Sequence, residues 1–139
     1  MNWHEYFFAI AELASEKSKD QSTKVGAVIV GPDNEVRSIG FNGFPRGVDD
    51  TISSRHERPA KYQYTEHAER NAIYNAARVG VPLKGCTMYM KFCPRPCTDC
   101  VRAVIQSGIV RVVGRKDKPF PGKGAQWRED LRVSEQMLA

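Results

Sequence analysis

The order of helix and strand patterns along the chain predicts an α/β fold of three layers, α-β-α, with a mixed sheet in the middle. That order is α-β-β-α-β-α-β-α, in which a hairpin comes first and single strands then alternate with helices. Hairpin strands are antiparallel, whereas two strands joined through a helix are parallel. We therefore expect a mixed sheet of four strands, or of five with a further edge strand, and helices on both faces of the sheet.

Length and composition indicate one globular domain over residues 1–139. Hydrophobic residues make up 41% of the chain and charged residues 27%, a balance typical of globular proteins. No apolar run is long enough to cross a bilayer, and the first residues lack the pattern of a secretory signal. We expect a cytoplasmic protein without a membrane partner. Lys and Arg outnumber Asp and Glu by 21 to 16, which suits an anionic partner and equally a solvated surface.

The first half of the chain predicts one helix and the hairpin. Apolar residues recur at helical spacing over residues 3–19, which indicates an amphipathic helix. Residues 25–30 are almost wholly apolar, small or β-branched, and predict a strand that is buried on both faces. Turn-forming residues at 31–34 lead into a second strand at 35–41. Hydrophobic periodicity is lost over residues 43–64, which indicates a long loop. A loop of that length more often belongs to a functional site or an interface than serves only as a connection.

The second half of the chain predicts three helices separated by two strands. They are a helix at 67–78, a strand at 86–91, a helix at 97–106, a strand at 109–114 and a last helix at 127–138. Alanines on the apolar side of the first of these helices permit close approach to a neighbouring element. Pro96 stands where the first residue of the second helix is expected.

Two short motifs carry side chains of the kinds that bind zinc. His67 and Glu69 open one predicted helix, and Cys97 and Cys100 open the next. Cysteines three apart in a first helical turn direct both sulfurs to one side, where backbone N–H groups favour thiolates. His67, Cys97 and Cys100 thus supply three ligands that zinc accepts, which leaves a fourth position for water. Glu69, beside the metal but not bound to it, is then the candidate general base and acid.

Each of these residues also has an interpretation without catalysis. A Cys-x-x-Cys pair alone is often part of a closed structural zinc site, a lone His is often a packed side chain, and a lone Glu is often solvated. The four cysteines, Cys86, Cys93, Cys97 and Cys100, lie within fifteen residues, and this crowding suits metal binding better than disulfides. Cys93 could also act as a fourth ligand, which would exclude water from the metal.

Further motifs accompany the zinc motif along most of the chain. They are Thr23-Lys24-Val25-Gly26-Ala27-Val28-Ile29-Val30, Gly40-Phe41-Asn42-Gly43, Glu66-His67-Ala68-Glu69-Arg70-Asn71-Ala72-Ile73, Pro96-Cys97-Thr98-Asp99-Cys100 and Ile105-Gln106-Ser107-Gly108-Ile109. In this order they resemble the cytidine and deoxycytidylate deaminase family, most closely its deoxycytidylate branch. The zinc motif is shared by zinc deaminases of this type. The Gly-Phe-Asn-Gly segment and the long loop after it favour the deoxycytidylate branch over the other branches of the family.

The resemblance implies a cytidine-deaminase-like fold, one Zn²⁺ per chain and hydrolytic deamination of dCMP to dUMP and ammonia. Zinc-bound hydroxide would attack C4 of the cytosine ring, while Glu69 protonates N3 and then the departing amine. The family's counterpart of Asn42 contacts the nucleotide, and Ala68, inside the zinc motif, is a further expected substrate contact. Asn42 has a second interpretation as a turn residue before Gly43.

A nucleotide monophosphate requires a cation, and we expect Lys24 and Arg46 to bind it because they lie on the hairpin or in the long loop. Three further candidates are Arg55, Arg58 and Lys61. Each of these five side chains has a second interpretation as a surface charge in contact with solvent. Phe44, Tyr62 and Tyr64 either stack on the base or, as we favour, anchor the loop.

The resemblance also implies a homo-oligomer and, in some members, dCTP and dTTP as effectors. The chain departs from the family pattern through extra residues between Tyr89 and Pro96. Residues 47–50 lack the Cys or His that binds a second zinc in many members, so we expect a single zinc. Relatives continue beyond Ala139 into a fifth strand, so we expect an edge of the sheet that a partner covers.

Alternative activities share the same zinc motif. They are deamination of another nucleotide, of a nucleobase or of tRNA adenosine. A non-catalytic, zinc-stabilised nucleotide-binding module is the alternative from a different class. A nucleic-acid partner is compatible with the net charge of +5 but is not favoured.

Overall fold

The computed structural model describes residues 1–92, 96–119 and 125–139, which form five α-helices and four β-strands. In chain order these are α1 (Trp3–Ser15), β1 (Gly26–Val30), β2 (Val36–Phe41), α2 (Lys61–Tyr64), α3 (Ala68–Val79), β3 (Thr87–Met90), α4 (Thr98–Gln106), β4 (Arg111–Val113) and α5 (Ala125–Leu138).

The four strands form one mixed sheet in the order β2-β1-β3-β4. Strand β1 is antiparallel to both of its neighbours, and Val28 pairs with Ile39 of β2 and with Tyr89 of β3. Strands β3 and β4 are parallel, with Tyr89 opposite Val113. The predicted hairpin, the parallel pair and the mixed sheet are confirmed. Within the described residues the sheet has four strands.

The side chains of β1 alternate between two helical layers. All five residues of this strand are buried. Ile29 belongs to a cluster with Ala72 of α3, whereas Val28 belongs to a cluster with Phe7 of α1 on the opposite face. A strand covered on both faces has no solvated side, so its sequence is an apolar run instead of an alternating pattern. The three-layer α-β-α prediction is therefore confirmed.

A close contact between β2 and α3 sets the depth at which α3 lies on the sheet. Ser38 Oγ donates to Ala72 O at 2.6 Å. A Cβ atom on Gly40 would lie 2.6 Å from Ala68 O and closer still to Ala72 N. Such distances leave no room for a side chain, so glycine is required at this point of the strand. The contact holds the first turn of α3, directly after His67, against β2.

Replacing Gly40 with alanine is expected to destabilise the fold, because the added methyl group would overlap backbone atoms of α3. We expect the free energy of unfolding to fall by about 3 kcal/mol, at the upper end of overpacking effects. Gly43→Ala is the matched control, since no atom lies within 4 Å of the Cβ position there. Chemical denaturation of both variants checks the prediction, and equal stability would contradict it.

Most element boundaries lie within two residues of those predicted, and two differences, at the end of α1 and at the start of α4, concern residues near the site. Helix α1 ends before residue 19, and Ser18 Oγ, which lies in the segment after it, donates to Asn42 O at 2.8 Å. Helix α4 begins at Thr98 with Cys97 as its N-cap. The expectation that Pro96 is the first helical residue is therefore wrong, because the residue with extended backbone before the helix is Cys97.

The long loop contains more regular structure than its sequence indicates. A 3₁₀ turn covers Ser53–His56, and the single turn α2 covers Lys61–Tyr64. Four residues are too few for helical periodicity to be visible in a sequence. The loop is closed by backbone pairing: Gly43 N donates to Glu66 O at 3.1 Å, and Glu66 N donates to Gly43 O at 2.8 Å. This pairing joins the loop to the residue directly before His67.

Candidate metal centre

The three predicted zinc ligands converge between the starts of α3 and α4. His67 is the N-cap of α3, Cys97 is the N-cap of α4, and Cys100 lies in the first turn of α4. His67 Nδ1 lies 3.3 Å from the Sγ atoms of both cysteines. The ligand atoms of all three residues lie within 4.8 Å of one another. Cys100 is buried and the other two side chains are partly buried.

This geometry fits one zinc ion. A tetrahedral zinc with nitrogen at about 2.1 Å and sulfur at about 2.3 Å separates nitrogen from sulfur by about 3.6 Å. His67 Nδ1 lies at a similar distance, 3.3 Å, from each Sγ atom. Within the described residues, the group that could hold a metal consists of His67, Cys97 and Cys100. One imidazole and two thiolates form a ligand set of catalytic zinc, which keeps a fourth position for water.

Of the other two cysteines, Cys86 is described, and it lies apart from this group. Cys86 is fully buried in the core cluster between the sheet and α3, where it packs with Met88 and Ala72. The close spacing of the cysteines in the sequence therefore suggested a metal-binding role that Cys86 does not have. The alternative of a closed four-ligand site depends on Cys93, which lies outside the described residues.

The two cysteine sulfurs titrate as one unit. The hydrogen bond with Cys100 lowers the pKa of Cys97 to about 4. The same contact raises the pKa of the Cys100 thiol above its ordinary value. A hydrogen bond with Cys97 also raises the pKa of His67. By themselves the two sulfurs share one negative charge, and a divalent cation stabilises loss of the second proton. The donor set is therefore suited to a cation.

Glu69 lies in the first turn of α3, beside the metal ligands, and is only 5% exposed. Burial raises the pKa of its carboxyl group, while the nearby His67 and a hydrogen bond with Cys100 lower it. A carboxyl group with a raised pKa exchanges protons near neutral pH more readily than an exposed one. The arrangement can therefore bind a metal, activate water and move a proton beside it.

An ion pair around His67 was missed by the sequence reasoning. Glu66 Oε1 accepts from His67 N at 2.9 Å and from Arg70 Nε at 2.6 Å. Arg70 also lies 3.6 Å from the carboxylate of Asp99, which lies between Cys97 and Cys100 in the chain. This bridge links the two helix starts that carry the ligands. Its sequence signal is the Glu-Arg spacing of four residues around the His-x-Glu motif.

Two of the expected substrate-binding residues are buried. Asn42 Oδ1 accepts from Val25 N at 2.8 Å, and its Nδ2 donates to Thr23 O at 2.9 Å. These bonds leave one amide hydrogen and one oxygen lone pair of the side chain for a ligand. Ala68 is 0% exposed and packs its methyl group into the core. The nucleotide contacts assigned to both residues stay predictions.

The two cations expected to bind phosphate lie at the surface. Lys24 is exposed, and its ammonium group makes no ion pair with the residues that the structure describes. Arg46 Nη2 donates to Asn75 Oδ1 at 2.7 Å, about two turns of α3 away from His67. The other three candidates have partners: Arg55 stacks over Tyr64, Arg58 Nε donates to Tyr62 Oη, and Lys61 pairs with Asp20.

Aromatic rings stack on one another inside the long loop. Phe44 lies parallel to His56, with ring centroids 4.7 Å apart, and to Tyr64, with centroids 5.4 Å apart. His56 Nε2 is also hydrogen-bonded to Asp50 O at 2.6 Å. The stack ties the start, middle and end of the loop together, which supports the interpretation that Phe44 and Tyr64 anchor the loop.

None of the described helices is both long enough and apolar enough to cross a bilayer.

Comparisons with known proteins agree with this site. Residues 1–115 match the model of the cytidine and deoxycytidylate deaminase zinc-binding region. Deoxycytidylate deaminase of Mus musculus is 41% identical over 123 residues, which cover 85% of this chain and 67% of that protein. An uncharacterized deaminase in the luxG 3′ region of Aliivibrio fischeri is 41% identical over 138 residues, or 99% of this chain and 87% of that protein.

A solved structure is similar in fold over nearly the whole chain. It is the dCMP deaminase of the cyanophage S-TIM5 in complex with dCMP and dUMP, with a TM-score of 0.73 and 25% identity. The similarity covers 96% of this chain and 90% of that one. Together with the match over residues 1–115 and the identity to the mouse protein, this shows that the chain belongs to the cytidine and deoxycytidylate deaminase family.

Proposed function

We propose that this protein hydrolyses dCMP to dUMP and ammonia with one zinc ion held by His67, Cys97 and Cys100. The observation that carries the proposal is Glu69, a buried carboxyl group beside three ligands of the catalytic kind. A structural zinc site has no need of such a group. The substrate is supported by the 41% identity to mouse deoxycytidylate deaminase and by the cyanophage enzyme solved with dCMP and dUMP.

The reaction exchanges the C4–N bond of cytosine for a C4–O bond. Zinc bound in this site lowers the pKa of a coordinated water and so provides a nucleophile near neutral pH. Glu69 accepts one proton from the attacking water and delivers it to N3 of the ring. It then carries the remaining hydroxyl proton of the adduct to the amine, the C4–N bond breaks, and ammonia leaves. Both protons of the water molecule thus pass through one carboxyl group.

The position of Glu69 in the fold supports this role. Its backbone lies in the first turn of α3, and the contact of α3 with Gly40 fixes that turn against β2. Because the carboxyl group is buried, bulk water does not compete for its protons. The contact therefore holds the backbone of Glu69 at a fixed position on the sheet.

Lys24 is the cation that we assign to the phosphate. It is exposed and makes no ion pair within the described part of the chain. It also follows Thr23, whose carbonyl group accepts from Asn42. If Asn42 contacts the sugar, Lys24 is near enough in the chain for its long side chain to reach the phosphate of the same nucleotide.

Relative rates across a panel of dCMP, CMP, dCTP, deoxycytidine and guanine test the proposal. We expect the highest kcat/KM for dCMP. The rate is measured from the change in ultraviolet absorption of the cytosine ring and from the release of ammonia. Lys24→Ala should raise KM for dCMP and leave that for deoxycytidine unchanged, while Lys17→Ala, at an exposed lysine, should change neither. Turnover of another member of the panel without turnover of dCMP would overturn the assignment.

Binding measurements with a nucleic-acid polymer, together with the rate panel, separate the alternative functions. A deaminase of tRNA adenosine should bind a polymer with an affinity that falls steeply as salt rises, which a mononucleotide enzyme should not do. A non-catalytic module should hold nucleotide without release of ammonia. A homo-oligomeric assembly, dCTP and dTTP as effectors, and a cytoplasmic location stay predictions.

A further inference from the structure

Helix α4, which carries two of the metal ligands, is capped by a side chain from another helix. Its N-cap residue, Cys97, makes no side-chain capping hydrogen bond. Asp130 of α5 accepts instead from Thr98 N at 3.0 Å through Oδ2 and from Thr98 Oγ1 at 2.8 Å through Oδ1. Asp130 is 32 residues further along the chain. Both oxygens of one carboxylate are therefore used at the first residue of the helix.

The chemistry of Cys97 explains why the cap comes from elsewhere. A helix start leaves backbone N–H groups without partners, and a Ser, Thr, Asp or Asn at the N-cap usually accepts from one of them. The side chain of Cys97 turns the other way, because its Sγ lies 3.3 Å from His67 Nδ1. One side chain cannot face the metal and cap the helix at once. A carboxylate from outside the helix meets this need and also suits the positive end of the helix dipole.

The position of α5 supports this role. Helix α5 packs against α4. Ser134, which follows Asp130 by four residues and so lies on the same face of α5, is only 1% exposed. Asp130 thus projects from the packed face of the helix, not from its solvated face. It also lies beyond residues 1–115, the part of the chain that matches the family model, so the zinc motif itself gives no sign of it.

We propose that Asp130 is a positioning residue for the metal centre. By holding Thr98 at two points, it fixes the first turn of α4 in the rotation that directs Cys97 and Cys100 toward His67. The inference rests on the proposed function in one respect, the assignment of zinc to these three ligands. The inference goes beyond that assignment because it makes α5 part of the structure that supports the metal site.

The affinity of the protein for zinc tests this role directly. Competition with a colorimetric zinc chelator should show zinc binding weakened about 10- to 100-fold in Asp130→Ala, the usual effect of losing a group that orients a ligand. Asp130→Asn should stay within a few-fold of the wild type, because its amide oxygen still accepts from Thr98 N and its amide nitrogen can donate to Thr98 Oγ1. Thermal melts of the zinc-loaded variants show whether each is folded.

Two control variants separate positioning from general destabilisation. Asn2→Ala removes the cap of α1, in which Asn2 Oδ1 accepts from Glu5 N at 2.9 Å. Helix α1 packs on the face of the sheet opposite to α3. Glu129→Ala removes the carboxylate next to Asp130, which pairs with Arg132 on an exposed surface. Both should bind zinc like the wild type. The proposal is overturned if Asp130→Ala also binds zinc like the wild type, or if Asn2→Ala weakens zinc binding equally.

The result of the zinc-binding test does not depend on whether dCMP is the substrate. If the wild type binds zinc but does not turn over dCMP, while Asp130→Ala binds zinc more weakly, the positioning role stands and the substrate assignment fails. If the wild type turns over dCMP and Asp130→Ala has unchanged zinc affinity, only the positioning role fails. The absorption spectrum of the cobalt-loaded protein gives a second readout, since a shift in Asp130→Ala but not in Asn2→Ala reports altered ligand geometry.

Discussion

Glu69→Gln is expected to lower kcat for dCMP by about 10²- to 10⁴-fold, the usual contribution of a general acid and base. Glutamine has nearly the same shape but cannot accept and return a proton, so the two proton transfers to N3 and to the amine lose their carrier. Zinc content should not change, because Glu69 is not part of the metal-ligand group found in the described residues. Steady-state kinetics and zinc analysis of the same preparation check both statements.

The matched control for this variant is Glu57→Gln, an identical change at an exposed carboxylate of the long loop. It should leave kcat and zinc content within experimental error of the wild type. If Glu69→Gln kept most of its activity, the carboxyl group would not carry the protons. If it lost zinc together with activity, Glu69 would have a role in the metal site itself.

Cys100→Ala is expected to abolish both zinc binding and turnover. The variant retains one sulfur and one imidazole, and two ligands hold zinc much more weakly than three. Zinc per chain, measured after gel filtration, should fall from one equivalent toward zero. The zinc-dependent share of thermal stability should disappear with it, because bound metal stabilises the folded state by mass action.

Cys86→Ala is the matched control, since Cys86 is also buried but lies in the core cluster away from the metal group. It should keep one zinc per chain and lose about 1 kcal/mol of unfolding free energy, at the small end of core truncations. Retention of a full equivalent of zinc by Cys100→Ala would mean that the ligand set has been misassigned.

The elements that could be predicted from the sequence are those with a periodic pattern of their own. The apolar run at β1, the turn residues after it and the helical spacing of α3 each depend on neighbours a few positions away. The zinc ligands were predictable for a related reason. His-x-Glu and Cys-x-x-Cys are local motifs whose ligand types allow few metals, and both stand at helix starts.

Features that depend on distant parts of the chain were not predictable. The pairing of Glu66 with Gly43 and the stack of Phe44 on His56 join positions whose approach is set by the path of a long loop. Cys86 is one of four cysteines that lie close together in the sequence, and its place in the core cluster is what separates it from the ligands Cys97 and Cys100.

By itself the sequence determined the order of the elements, the mixed character of the sheet and the chemistry of the metal site, because short-range spacing specifies each of them. Only the tertiary structure decided how that site is held. The contact of α3 with Gly40 and the capping of Thr98 by Asp130 join atoms that are far apart in the chain. Their proximity results from the packing of whole helices on the sheet, which no local pattern of residues records.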